Sequence, residues 1–265
     1  MSALALTLVL ASAAFHAGWN RLLHDLEDRV AAMAVAGATS FILLLPSIVT
    51  APPVRAGFLV PLSGLLEGAY ALTLTAAYRR GALSLTYPIG RGTAPLLVTL
   101  GGWIVLAQPP RVETVAGALA LGLGLLIIAL AGRQPKGGGA IVFALLTACC
   151  IASYSLVDAR AVQHVSPASY LGVVLGIQSL FLVAWLRGDW RRLRNALRPG
   201  MVIGIGTIGA YLLVLFAFQA ASAGRVATLR EVSVLIGLLL AREKPGGKAW
   251  AGALLIVAGA ICVAV

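Results

Sequence analysis

Runs of about 20 apolar residues recur ten times along this chain, and that recurrence suits hydrocarbon better than water as a solvent. They lie near residues 3–22, 30–51, 57–78, 84–107, 112–131, 138–159, 168–186, 200–222, 225–241 and 248–265. A bilayer core about 30 Å thick is crossed by roughly 20 helical residues. Inside it every backbone N–H and C=O must be bonded within the protein, which a helix achieves alone. Only 11% of the residues are charged, against about 25% in soluble domains. The expectation is an all-α polytopic membrane protein with ten transmembrane helices, multi-pass in the cell's inner membrane. The first run lacks the basic start of a signal peptide and is read as a span.

The net charge of +11 sits in the connections and reports orientation rather than a nucleic-acid partner. Loops after odd-numbered runs carry most of it, including Arg79, Arg80 and the strip RGDWRRLRNALRPG from Arg187 to Gly200. The positive-inside rule puts those loops in the cytoplasm and both termini outside. Cys149, Cys150 and Cys262 fall within apolar runs at no metal-binding or disulfide spacing, and are read as core filler.

The chain repeats itself. AYRRGALSLTYPIGRGT from Ala77 aligns with AFQAASAGRVATLREVS from Ala217 at an offset of 140. VAGAL from Val115 aligns with WAGAL from Trp250 at an offset of 135, and Trp19 stands over Tyr154. Each unit holds five runs, residues 1–134 and 135–265. An odd number makes the second unit enter the bilayer from the opposite side, so two inverted five-helix repeats are expected. The drop in offset shortens the ninth run between Ser233 and Ala251.

Within the fourth run, TYPIGRGTAP sets Arg91 among Pro88, Gly90, Gly92 and Pro95. A charge at that depth costs about 3 kcal/mol on insertion scales and persists where it meets a partner, water or a ligand. Proline and glycine around it predict an interrupted helix beside a transport site. Other polar groups in apolar runs complete the candidate set: His16, Trp19 and Asn20 in the first; Glu67 and Tyr70 in the third; Tyr87 before Arg91; Tyr154 and Asp158 in the sixth; Arg230 and Glu231 in the ninth. His16 and Asn20, four apart, share a helix face. Glu67, His16 and Asp158 are candidates for proton coupling, although Asp158 also suits the membrane interface. Arg230 and Glu231 diverge by about 100° on a helix. Expected pairings are Arg91 with Glu231, and Arg230 with Glu67 or Asp158; a bond from Glu67 to Arg91 is the structural alternative. Small residues at Gly117, Gly122, Gly124, Gly252 and Gly259 suit close packing within the monomer, or a homodimer.

HAGWN, TYPIGRGTAPLL, AYLLVLFAF and LREVSVL together resemble the EamA-type members of the drug/metabolite transporter superfamily, nearest the phosphonate-utilisation-associated branch. The resemblance implies a ten-helix secondary transporter whose cavity is built by helices 1, 3, 4, 6, 8 and 9 and closed by helices 5 and 10. The chain departs from the family where a Gly-Glu usually ends the fourth span. Gln108 stands there, while the second unit keeps Glu243. Relatives also carry both termini in the cytoplasm, opposite to the charge count.

Buried arginines favour a small anionic or zwitterionic metabolite, such as an amino acid or aminophosphonate, because guanidinium binds carboxylate and phosphate through paired hydrogen bonds. Membrane lipid is the other expected partner, and no metal or cofactor is expected. A membrane-embedded enzyme acting on a lipid, or a flippase or partner subunit without transport of its own, are the alternatives. No Ser-His-Asp arrangement and no H-E-x-x-H motif supports an enzyme.

Overall fold

The computed structural model describes residues 2–81, 83–131, 139–233 and 247–264. Among them the long elements are all helical. They are α1 (Ala3–His24), α2 (Arg29–Thr50), α3 (Leu59–Arg80), α4 (Leu83–Leu106), α5 (Val112–Ala131), α6 (Ala140–Ala161) and α7 (Pro167–Trp185). A six-residue α8 (Trp190–Asn195) follows, then α9 (Leu197–Ala220), α10 (Ala223–Arg230) and α11 (Gly247–Ala264). Seven of these are long and apolar enough to cross a membrane: α1, α2, α3, α4, α6, α7 and α9. α5 and α11 carry shorter apolar stretches, Val112–Ile128 and Trp250–Ala264. Large apolar side chains such as Ile42, Val49, Ile104, Leu130 and Leu254 point outward, as lipid-facing helices require.

Local chemistry sets several helix starts. Ser2 and Asp28 accept the backbone N–H of Ala5 and Ala31, and Asp189 accepts those of Arg191 and Arg192. Pro167 occupies the first turn of α7, where a missing N–H costs nothing. Gly139 precedes α6 at φ +85°, a conformation glycine adopts without strain. Asp28 also receives the Arg192 guanidinium at 2.6 and 3.0 Å, which ties α8 to the start of α2. Partial burial pushes the Asp28 carboxyl up, but the Arg192 bond and the Ala31 N–H outweigh it and hold the group below its usual range.

The strip from Arg187 to Gly200 is therefore not one loop, because α8 and the first turn of α9 form within it. The predicted interruption around Arg91 is also absent: α4 runs unbroken through Pro88, Gly90, Gly92 and Pro95. The glycines serve close approach instead. A Cβ on Gly90 would sit 3.2 Å from the Ala144 carbonyl of α6, and one on Gly92 3.0 Å from Leu125 of α5. The cysteines are not core filler, since Cys149 and Cys262 are exposed on the outer surface and Cys150 is half-buried. The shortened part of the ninth run, Glu243 and the boundary between the two units lie outside the described residues.

The helices pair α1 with α9, α3 with α6, α2 with α7 and with α9, α3 with α7, α4 with α5, α6 and α10, and α5 with α11. Contacts fix their sense. Gly206 meets Trp19 while Gly209 meets Phe15, so α1 and α9 run antiparallel. The hydrogen bond between Ser63 and Asp158 and the ring contact between Tyr70 and Tyr154 show the same for α3 and α6. In α5 and α11 the glycines cross without side chains: a Cβ on Gly124 would lie 2.5 Å from the Gly252 carbonyl, and one on Gly259 2.5 Å from that of Gly117. The expectation of tight packing by these residues within the monomer holds.

That crossing leaves no room for a methyl group against backbone. Gly124→Ala is expected to lower thermal stability in detergent by the equivalent of about 1–3 kcal/mol. Gly18→Ala, with nothing within 4 Å of the added Cβ, is the matched control and should leave the melting temperature unchanged or slightly raised. Equal melting of the two variants would refute the close crossing.

Candidate functional site

Helix periodicity brings the polar groups of α3 onto one face. Ser63, Glu67 and Tyr70 follow at i, i+4 and i+7 and look into the bundle, where all three are buried. Opposite them α1 contributes His16 and Trp19, whose rings meet edge to face at 4.8 Å. α6 supplies Tyr154, α7 supplies Gln178, α9 supplies Thr207 and Tyr211, and α10 supplies Arg230. Met33, Leu175 and Ile203 fill the apolar part of the wall. These residues line a cavity whose free space, open solvent at its mouth included, is about 560 Å³.

An aromatic ladder forms one side of the cavity. Tyr70 stands edge to face with Tyr154 at 5.7 Å, and Tyr154 with Tyr211 at 5.8 Å. The Arg230 guanidinium lies over the Tyr211 ring at 5.2 Å, where the ring's negative face attracts it. Neither Arg230, Glu67 nor His16 makes a side-chain hydrogen bond or ion pair among the described residues. The expected pairing of Arg230 with Glu67 or Asp158 is therefore not formed. Glu67 and Arg230 instead share the cavity wall, close enough to feel each other's charge.

The other arginine takes the expected partner. Arg91 Nε donates to Glu231 Oε2 at 3.0 Å, with both side chains only 4% exposed. Arg91 borders a second, smaller cavity with Tyr70, Thr86 and Thr147, so it lies behind the main cavity rather than in its wall. Gln108, the departure noted in the sequence, accepts the Ala223 N–H at 3.0 Å and caps α10.

Asp158 is not interfacial. It is fully buried, and its carboxylate accepts from Ser63 at 2.5 Å, from Tyr170 at 2.7 Å and from Tyr211. Asn20 is half-buried and does not line the cavity, because the face it would share with His16 turns away there. The side chain of Tyr87 lies outside the described residues. His16, Trp19, Glu67, Tyr70, Tyr154 and Arg230 come together as expected, while Tyr211, Gln178 and Thr207 were missed. Gln178 had a signal, as a lone amide in the seventh apolar run.

Removing one member of the Arg91–Glu231 pair breaks a buried ion pair, at a cost of about 3–5 kcal/mol. Arg91→Gln and Glu231→Gln should each lower thermal stability strongly, and the double variant should recover much of the loss. Additive losses in that double-mutant cycle would show that the pair is not coupled.

A crystal structure of another protein shares this fold at a TM-score of 0.76, over 99% of this chain and 96% of that one, at 16% sequence identity. Identity that low carries the fold alone. No curated protein matches the sequence. Residues 138–265 match the model of the EamA-like transporter family, which is part of the drug/metabolite transporter superfamily.

Proposed function

We propose that this protein is a secondary transporter that moves a small anionic or zwitterionic metabolite across the inner membrane by alternating access. The observation that carries this reading is the cavity whose wall Arg230, Glu67 and His16 share, with no hydrogen-bond or ion-pair partner for their side chains among the described residues. A guanidinium in a low-dielectric wall is sustained by an anion or by water. Arg230 offers a fork to a carboxylate or phosphonate, with Tyr211 supporting its far side. Glu67 takes the ammonium end of a zwitterion, or the coupling proton. The Trp19 indole N–H is buried, has no partner among the described residues and adds a donor for the solute.

Ten spans in two inverted repeats provide the moving parts. The packing pattern supports them, since it maps onto itself when α1 exchanges with α6, α2 with α7, α3 with α9, α4 with α10 and α5 with α11. Under that exchange the α1–α9 pair becomes α6–α3, and α2–α9 becomes α7–α3. Gly117 and Gly124 are the counterparts of Gly252 and Gly259 at the offset of 135, yet Gly117 meets Gly259 and Gly124 meets Gly252. Counterpart helices thus cross head to tail, as an axis in the membrane plane requires. Arg91 and Glu231, separated by the offset of 140, are counterparts that bond to each other on that axis.

A panel of amino acids, aminophosphonates and simple carboxylates tests the site, first by thermal shift of the purified protein and then by uptake into proteoliposomes. Arg230→Gln should weaken binding of every active solute by about 30-fold or more. Glu67→Gln should spare simple anions and lose zwitterions. Binding and uptake equal to the parent in both variants would remove these residues from the site.

A further inference from the structure

One buried carboxylate joins four helices beneath the cavity. Asp158 Oδ1 accepts from Ser63 of α3 and Tyr170 of α7, and Oδ2 accepts from Tyr211 of α9, while Asp158 itself belongs to α6. An ionised carboxylate has acceptor sites for all three hydroxyls and donates nothing. The position of this cluster along the helices is one-sided. Asp158 lies three residues before the end of α6, Tyr170 in the first turn of α7 and Ser63 near the start of α3. The cavity extends the other way, toward Trp19 near the end of α1, Met33 near the start of α2 and Ile203 in the first third of α9. Antiparallel contacts place those last three positions at the opposite side of the bundle from Asp158.

The counterpart positions hold no polar group. At the offset of 135 that sets Trp19 over Tyr154, Asp158 stands over Leu23. At the offset of 140, Ser63 stands over Ile203 and Tyr211 over Ala71. Tyr170 falls against residues 30–35, VAAMAV, whichever offset applies. Leu23, Ala71 and Ile203 are all buried and apolar.

We infer that Asp158 is a positioning residue that bolts one side of the cavity shut through Ser63, Tyr170 and Tyr211, and that the counterpart positions on the opposite side, Leu23, Ala71 and Ile203, contribute apolar packing in place of such a bolt. The inference rests on the transporter reading and adds an asymmetry between its two openings. Tyr211 links the bolt to the solute, because its hydroxyl bonds Asp158 while its ring carries Arg230. A solute drawing Arg230 off that ring disturbs the bolt directly. An apolar closure tolerates graded loosening, whereas three charge-assisted hydrogen bonds on one carboxylate are strengthened by exclusion of water and weakened by its entry.

Labelling from each side tests the inference without knowledge of the solute. In a background with Cys149, Cys150 and Cys262 replaced by serine, Thr207→Cys places one thiol in the cavity wall. Vesicles of each orientation are then treated with a membrane-impermeant maleimide. The parent should label from the side where α1 ends. Asp158→Asn and Tyr170→Phe should each raise labelling from the opposite side by about tenfold or more. Tyr170→Phe keeps the ring and carries the test if Asp158→Asn fails to fold. Leu23→Ala, at the counterpart position, should leave labelling from the bolted side unchanged. Unaltered labelling in Tyr170→Phe, or an equal rise from both sides, overturns the inference. Absence of transport by the parent, with the labelling shift present in the variants, counts against the transporter reading and leaves the bolt standing; transport by the parent with labelling unchanged in Tyr170→Phe overturns the bolt alone.

Discussion

The bond between Arg91 and Glu231 orients the functional part of the bundle. Taking both charges out of water is expensive, and the attraction between them returns that cost only at good geometry. Its consequence reaches the next residue. Arg230 and Glu231 are neighbours about 100° apart around the end of α10, so committing Glu231 to α4 turns Arg230 toward the cavity. Gln108 caps the same short helix at its start, and Gly224 packs against Thr99. α10 is thus held against α4 along its described length, which lets a marginal eight-residue helix present a cation to a hollow.

The wall facing that cation is mainly aromatic. Tyr70, Tyr154 and Tyr211 contact one another edge to face, filling space with rigid rings. Acidic groups are kept at separate stations: Glu67 in the wall, Asp158 beneath it and Glu231 behind it. Each has a different set of neighbours.

Depth was legible wherever a polar side chain interrupted an apolar run, which is why Glu67, His16, Arg91 and Arg230 were all expected inside. The Arg91–Glu231 bond was an expected pairing because Arg230 and Glu231 diverge on a helix, so that one faces the cavity while the other pairs elsewhere. The interfacial alternative for Asp158 fails because distance from the end of a run is a poor guide to depth when the following helix starts after a short turn and covers that end, as Tyr170 does. Pro88, Gly90, Gly92 and Pro95 have a composition that suits either a broken helix or a close approach, and only the neighbouring Ala144 and Leu125 decide between them. Tyr211 was hidden in the aromatic-rich stretch AYLLVLFAF, and its counterpart Ala71 gave no cue. Asn20 shows the limit of facing rules: sharing a stripe with His16 does not extend the cavity to reach it.

The bare crossing of α5 and α11 has a mechanical consequence. None of its residues lines the main cavity, and its backbones touch where most helix pairs are cushioned by side chains. A joint of that kind resists sliding and separation yet offers little resistance to a small change of angle about the point of contact. The proposed exchange of states requires such a fixed point, and a crossing of this kind suits the pivot of a pair of shears.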